Sequence, residues 1–285
     1  MKQKSAKGIK LRNNIIVHTI LAILAVIWMF PVLWVILTSF RGEKGSYVST
    51  FFPKTYTLDN YIKLFTDTTI LNFPQMFLNT LIIAIFSCLL SSFFVLSASF
   101  CLSRLRFKLR KPYMNMAMIL GLFPGFMSMV AVYFILKAVG LTEGNNVRIA
   151  LILCYSGGAA LGFQIIKGFF DTMPKELDEA ARIDGCGHFR IFFRIILPLM
   201  MPALATTTIF TFMWTWNDFF GSLIYLTTPD NFTVPLALKS FLDGQGTSDW
   251  GAMFAMSIVS LIPLFLVFLF GQRFLVKGFA TTGIK

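Results

Sequence analysis

The sequence predicts an all-α membrane protein with six transmembrane helices and both termini in the cytoplasm. Three observations carry this prediction: the composition, the apolar runs and the placement of basic residues. The chain has 285 residues, of which 56% are hydrophobic and 13% charged, with 33 Phe. The charged share is about half that of soluble domains. A soluble fold of this length could not hide so much apolar surface, since roughly half of any folded surface still faces water. An ordinary soluble enzyme, a disordered chain and a disulfide-built secreted domain are thereby excluded.

A membrane-crossing helix needs about 20 mostly apolar residues. Six runs qualify: residues 15–37, 76–100, 113–136, 149–166, 199–226 and 252–271. Gly157, Gly158 and Gly162 interrupt the fourth. In a membrane such small residues allow close helix packing. Residues 1–14 form a cytoplasmic N-terminal segment, residues 15–272 the permeation-sized helical domain, and residues 273–285 a cytoplasmic tail. No cleavable signal peptide is evident, because the first apolar run is too long and lacks a small-residue cleavage site.

Six spans put both termini on one side, where Lys and Arg should concentrate if that side is cytoplasmic. Of the 25 basic residues, 18 fall on the side of the termini and 7 on the other. With the acidic residues included, the cytoplasmic face carries +13 and the external face 0, leaving Asp218 within a span. The net +12 is therefore a topology signal matched to anionic lipid, and not a nucleic-acid footprint. The four Cys and two His residues show no metal-ligand spacing. No phosphate-binding loop, zinc-hydrolase motif or nucleophile elbow occurs.

The longest external segment, residues 38–75, contains a short helix that Thr57 can cap, with Leu58, Tyr61, Ile62, Leu64 and Phe65 at helical spacing. It is read as lying on the membrane surface or packed on the spans, with a docking site for an external partner as the alternative. Residues 227–251 hold two Pro and two Gly before position 247 and are expected to be irregular, with Phe232, Val234 and Leu236 folded back into the bundle.

Residues 171–198, DTMPKELDEAARIDGCGHFRIFFRIILP, differ from everything around them. Pro174 suits a helix start, and Glu176, Asp178 and Glu179 suit the positive end of its dipole. Ala180 and Ala181 form helix readily, and Gly185 or Gly187 can end it at positive φ. A second helix starts near His188, with Phe189, Phe192, Phe193 and Ile196 as its apolar face. The result is a helix, a glycine turn and a helix between two spans: either a structured loop with no partner or a docking element, whose small residues let a partner approach and whose acidic cluster suits a basic rim.

Glu179, Ala180, Ala181, Gly185, Ile195, Leu197 and Pro198 resemble the EAA loop, E-A-A-x-x-x-G-x₉-I-x-L-P, of permease subunits in ATP-binding cassette (ABC) importers. Residues 214–219 (WTWNDF) and 272–278 (QRFLVKG) are similar to the carbohydrate-uptake branch, and the six-span layout to the second permease of maltose importers. The resemblance implies a type I ABC importer permease fold in a bacterial or archaeal cytoplasmic membrane. It also implies a second permease, two ATPase subunits, an extracytoplasmic sugar-binding protein and a di- or oligosaccharide substrate. The chain itself would hold no cofactor; ATP and Mg would be bound by the ATPase subunits.

On this resemblance residues 171–198 are a coupling loop. Glu179 anchors the ATPase, Ala180 and Ala181 pack in its cleft, and Asp184 and Gly185 form the turn. Ile195, Leu197 and Pro198 join the loop to the fifth span. Gln272, Lys277 and Gly278 mark a tail able to contact the ATPase. Asp218, with Asn217, Trp214 and Trp216, is either part of a sugar path or a structural cluster, since an intramembrane carboxylate usually faces a cavity or a partner. An ion-coupled secondary carrier is the competing reading; it requires several buried titratable groups and related halves, which the sequence does not display. An intramembrane enzyme lacks any nucleophile–base or metal constellation.

Overall fold

The computed structural model describes residues 2–43, 50–68, 72–160, 162–243 and 250–282. Among these residues there are helices and one isolated bridge between Arg41 and Tyr56, with no strand. The chain divides into two units, Met1–Thr68 with Ser240–Val259, and Thr69–Lys239 with Ser260–Lys285.

The first unit opens with α1 (Lys2–Ser39), which runs unbroken from the basic N-terminal segment into the first span. Its stretch Asn13–Ser39 is long and apolar enough to cross a membrane. Ile15, Ile16, Val17, Leu24, Val26 and Trp28 are all exposed, so the helix is apolar all round, the pattern of a membrane span. Its C-terminus is held by the segment that follows it. Asn60 Nδ2 donates to the carbonyls of Ser39 (2.9 Å) and Arg41 (2.8 Å), and the Ser39 and Tyr61 hydroxyls are hydrogen-bonded at 2.6 Å. Carbonyls with no partner inside the helix are satisfied in this way. The short helix expected here is α2 (Asp59–Thr66), and the Thr57 hydroxyl accepts from Asp59 N–H at 3.1 Å. Leu64 is buried beneath it, whereas Leu58, Ile62 and Phe65 face outward.

The second unit is built on α3 (Phe73–Arg104), the second predicted span, which Asn72 caps by accepting from Gln75 N–H at 3.2 Å. The third predicted span differs from expectation. It is two helices, α4 (Arg110–Gly121) and α5 (Gly125–Ala138), neither long enough to cross alone. Pro124 breaks it, because proline has no N–H to donate and disfavours helical geometry at the residue before it. The fourth is α6 (Asn146–Ala160) followed by α7 (Phe163–Thr172), bent by 43° near the glycines noted above.

The segment 171–198 forms α8 (Glu176–Ile183) and α9 (His188–Ile191), and the chain continues as one helical stretch into α10 (Leu197–Asn217). The fifth span ends earlier than expected. Asp218 is extended, and a short helix, α11 (Phe220–Tyr225), follows the break. Asp218 is therefore at a helix end and not inside a continuous span. The segment expected to be irregular contains α12 (Val234–Asp243), while Val234 and Leu236 are buried and Phe232 packs beside Leu236, as expected. Asn79 on α3 fixes the approach to α12 by donating to the carbonyls of Asp230 (2.7 Å) and Phe232 (3.2 Å).

The last helix, α13 (Trp250–Thr282), extends beyond the predicted sixth span and into the expected tail. Among the described residues four stretches are long and apolar enough to cross a membrane, and the bent α6–α7 pair makes five if it is counted as one span. Within the second unit, a hydrophobic core gathers Leu102 of α3, Phe163, Ile166 and Phe170 of α7, Ala181 of α8, Ile191 and Ile196, and Met200 of α10. This core is the base on which the loop of residues 171–198 stands.

Candidate functional site

The amino-acid pattern of residues 174–187 produces a single-turn-precise helix stop. Pro174 lies just before the helix, and the Lys175 carbonyl accepts from the N–H groups of Asp178 (3.0 Å) and Glu179 (3.1 Å). Glu176, Asp178 and Glu179 occupy the first turn, where carboxylates oppose the positive dipole end. At the other end Gly185 takes φ +77°. Its N–H donates to Arg182 O (3.0 Å), and Cys186 N–H donates to Ala181 O (2.9 Å). These two bonds are the Schellman pair that closes a helix on a left-handed residue. Of the two candidate glycines, Gly185 makes the stop; Gly187 is extended at φ −74°.

Asp178 binds the helix to the rest of the unit. Its Oδ2 lies 2.9 Å from Arg104 Nε, with side-chain exposures of 10% and 4%. Arg104 Nη2 also donates to Met173 O at 3.1 Å, so one guanidinium at the end of α3 grips both the helix and its entry. Breaking a buried pair of this kind leaves an uncompensated charge, which is why it acts as a strong constraint. Sequence patterning missed Arg104, because its partner lies 74 positions away; the signal available was an arginine four positions beyond the end of a long apolar run.

The helix has two faces. Ala181 is 5% exposed and packs into the loop's own core. That corrects the expectation that both alanines face a partner. Glu179, Ala180, Asp184 and Gly185 are exposed, joined by Leu177 and by Ile183 at 87% exposure. Leu177, Ala180 and Ile183 recur every third residue, a spacing that could have marked the outward face.

The second part of the loop also differs from its predicted apolar face. Ile191 and Ile196 are buried and Phe192 and Ile195 pack against them, whereas Phe189 and Phe193 are exposed. Residues Phe192–Ile196 form a π-helical turn in which Leu197 N–H reaches back to Phe192 O. Pro198 follows directly. Its ring would collide with the carbonyl four residues earlier in a regular helix, and the widened turn accommodates it. Leu197 packs on the same core while Pro198 is exposed. The loop therefore passes into α10 without a flexible joint.

The residues near the end of α10 do not form one surface. Trp216 is 2% exposed, stacks on Phe212 with centroids 5.6 Å apart and donates to Ser260 O at 3.1 Å. This makes it a packing residue and removes it from a sugar path. Trp214 and Asn217 are exposed, and Asn217 Nδ2 donates to Met213 O at 2.8 Å. Asp218 Oδ2 accepts from Tyr155 OH (2.5 Å) and from Gly221 N–H (2.8 Å), tying α6 to the break. Gln272 donates to Leu269 O at 3.3 Å. Lys277 and Gly278 are helical, and their side chains lie outside the described residues. No group of three or more His, Cys, Asp or Glu able to hold a metal occurs among the described residues.

The chain resembles known proteins over most of its length. Residues 94–281 match the family described as binding-protein-dependent transport system inner membrane component. The chain is 31% identical over 281 residues to the maltodextrin transport system permease protein MdxG of Bacillus subtilis, covering 99% of both chains. It is 32% identical over 269 residues to the inner membrane ABC transporter permease protein YcjP of Escherichia coli, covering 93% of this chain and 94% of that one. In fold it is similar to a chain of a bacterial ABC transporter involved in the import of alginate, with a TM-score of 0.75, 20% identity, and 91% and 95% of the two chains covered. The fold is that of an ABC importer permease, in a multi-pass protein of the cytoplasmic membrane. The chain belongs to the family of inner-membrane components of binding-protein-dependent transport systems.

Proposed function

We propose that this chain is one of two permeases of a sugar importer and that α8 couples it to separate ATPase subunits. The supporting observation is the construction of the loop: an acidic, alanine-containing helix stopped by Gly185, clamped to α3 by Arg104–Asp178 and continuous with α10. A rigid element of this kind can carry a displacement from a partner into the membrane. Force is transmitted only if the partner's two states contact it differently. The relatives favour a sugar: besides the maltodextrin permease, the galactooligosaccharides transport system permease protein GanQ of Bacillus subtilis is 31% identical over 94% of both chains. A di- or oligosaccharide delivered by an extracytoplasmic binding protein is the substrate class.

In this reading ATP and Mg are held by the two ATPase subunits, which seat against Glu179, Ala180 and Ile183. In this reading both termini are cytoplasmic and the broken α4–α5 pair counts as one of six crossings, which puts the loop on the ATPase side. Trp214 and Asn217 are the residues near the α10 end left available to the sugar path, and Gln272 with the end of α13 is available to the ATPase. The test is the reconstituted transporter carrying Glu179→Ala. Uptake should fall while ATP hydrolysis persists and the protein remains in the membrane. Normal uptake at normal expression would remove α8 from the coupling role.

A further inference from the structure

A cavity of about 830 Å³ lies beside α8, lined by the end of α3, the following connection and α8 itself. This is within the range of small-molecule sites. Its chemistry is lopsided. Arg104 is taken up by Asp178, which leaves Arg106, Arg110, Lys175 and Arg182 facing one remaining carboxylate, Glu179, with His188 at the margin. None of those four cations makes an ion pair among the described residues, although Arg110 acts on Asp171 at longer range. Buried in the wall is an orphan acceptor: Asp178 is 7% exposed, and its Oδ1 has no hydrogen-bond partner. Such an atom is costly to leave unmet. The cavity thus asks for two things together, an anion for the arginines and a donor for Asp178.

We propose that the cavity binds a phosphate ester that also carries a hydroxyl or ammonium donor, the phosphate on Arg106 and Arg110 and the donor on Asp178 Oδ1. Two sources share this chemistry. One is a phosphatidylglycerol or phosphatidylethanolamine headgroup of the inner leaflet, for which basic pockets at the cytoplasmic ends of membrane helices are suited. Exposed Phe107 in the cavity wall and Leu109 and Tyr113 beyond it offer apolar surface to an acyl chain. The other is a soluble phosphate ester. Occupancy would brace α8 against α3 and so set how stiffly the loop responds.

The experiment uses the whole transporter with its ATPases, in nanodiscs of phosphatidylcholine alone or with phosphatidylglycerol, read by native mass spectrometry and by binding of soluble glycerol phosphate. Phosphatidylglycerol retained by the wild type and lost by about tenfold or more in Arg106→Gln/Arg110→Gln supports the lipid source, since charge-assisted bonds are of that strength. Glycerol phosphate bound in phosphatidylcholine discs, with the same loss, supports the soluble source. Arg106→Lys/Arg110→Lys should restore either, and salt should weaken both. Both arginines lie outside the Arg104–Asp178 clamp, and unchanged thermal unfolding of the Gln pair confirms an intact fold. Binding unaffected by the Gln pair overturns the proposal. So does exclusion of both ligands from the assembled transporter, as when an ATPase side chain fills the cavity.

Discussion

Gly185→Ala isolates the conformational requirement of the helix stop. A Cβ at Gly185 would meet nothing within 4 Å, so no steric clash contributes. What remains is φ +77°, a left-handed conformation that costs an L-residue roughly 1–2 kcal/mol. The Schellman bonds from Gly185 and Cys186 should then open more often, and amide exchange at both should accelerate by about 5- to 30-fold. Gly187→Ala is the control, because that site is also spacious but has φ −74°. It should leave exchange unchanged or slow it slightly, since alanine restricts the unfolded chain. Gly185→Asn should fall between, as asparagine tolerates the left-handed region best among non-glycines. In the reconstituted transporter, Gly185→Ala should also raise the ATP hydrolysed per sugar imported. Equal exchange in Gly185→Ala and wild type, or equal acceleration in Gly187→Ala, would refute the reasoning.

Asp178→Asn should destabilise the loop by about 3–5 kcal/mol, because Arg104 is left buried without its counter-charge; Arg104→Met with Asp178→Leu should recover most of that in thermal unfolding of the complex. At Gly271 a Cβ would collide with the Ile209 side chain, so Gly271→Ala should cost about 1–3 kcal/mol and Ile209→Val should relieve it. Glu43 supplies a pH dependence. Desolvation works to raise its carboxyl, but the amides of Lys54 and Thr55 and the Arg41 guanidinium outweigh this and hold it below its ordinary value of 4.5. A lowered folded value stabilises the segment between α1 and α2 above pH 4.5, and that stabilisation is lost as pH falls through the folded value. Exchange of the Lys54 and Thr55 amides should accelerate, relative to the intrinsic rate, over that acidic interval in wild type and show no such step in Glu43→Gln.

The long apolar helices and the loop's glycine stop were legible because each depends on local chemistry: hydrophobic length, first-turn carboxylates, and a residue free to take positive φ. Breaks were harder. Residues 113–136 and 199–226 read as continuous apolar runs, yet Pro124 divides the first, and the second ends at Asp218, whose carboxylate is held by Tyr155 and Gly221. Hydropathy is blind to a polar bond between distant helices. The same limit hid Arg104 and gave Ala181 the wrong partner. An EAA pattern states that two small residues follow an acid, but only tertiary packing, here into the core that includes Ile191 and Phe170, decides which alanine turns inward. Trp216 looked like a sugar-stacking residue by type; its burial against Phe212 makes it part of the bundle.

The central claim is that an ATPase subunit seats on the exposed face of α8. A photoactivatable amino acid placed at Ala180 or Ile183 tests it in membranes containing the whole transporter. The account predicts cross-links to the ATPase from both positions, changing in yield when ATP is added. Substitution at buried Ala181 or at exposed Trp214 should give none. Equal cross-linking from Trp214, or none from Ala180 and Ile183 in an assembled, active complex, would contradict the account.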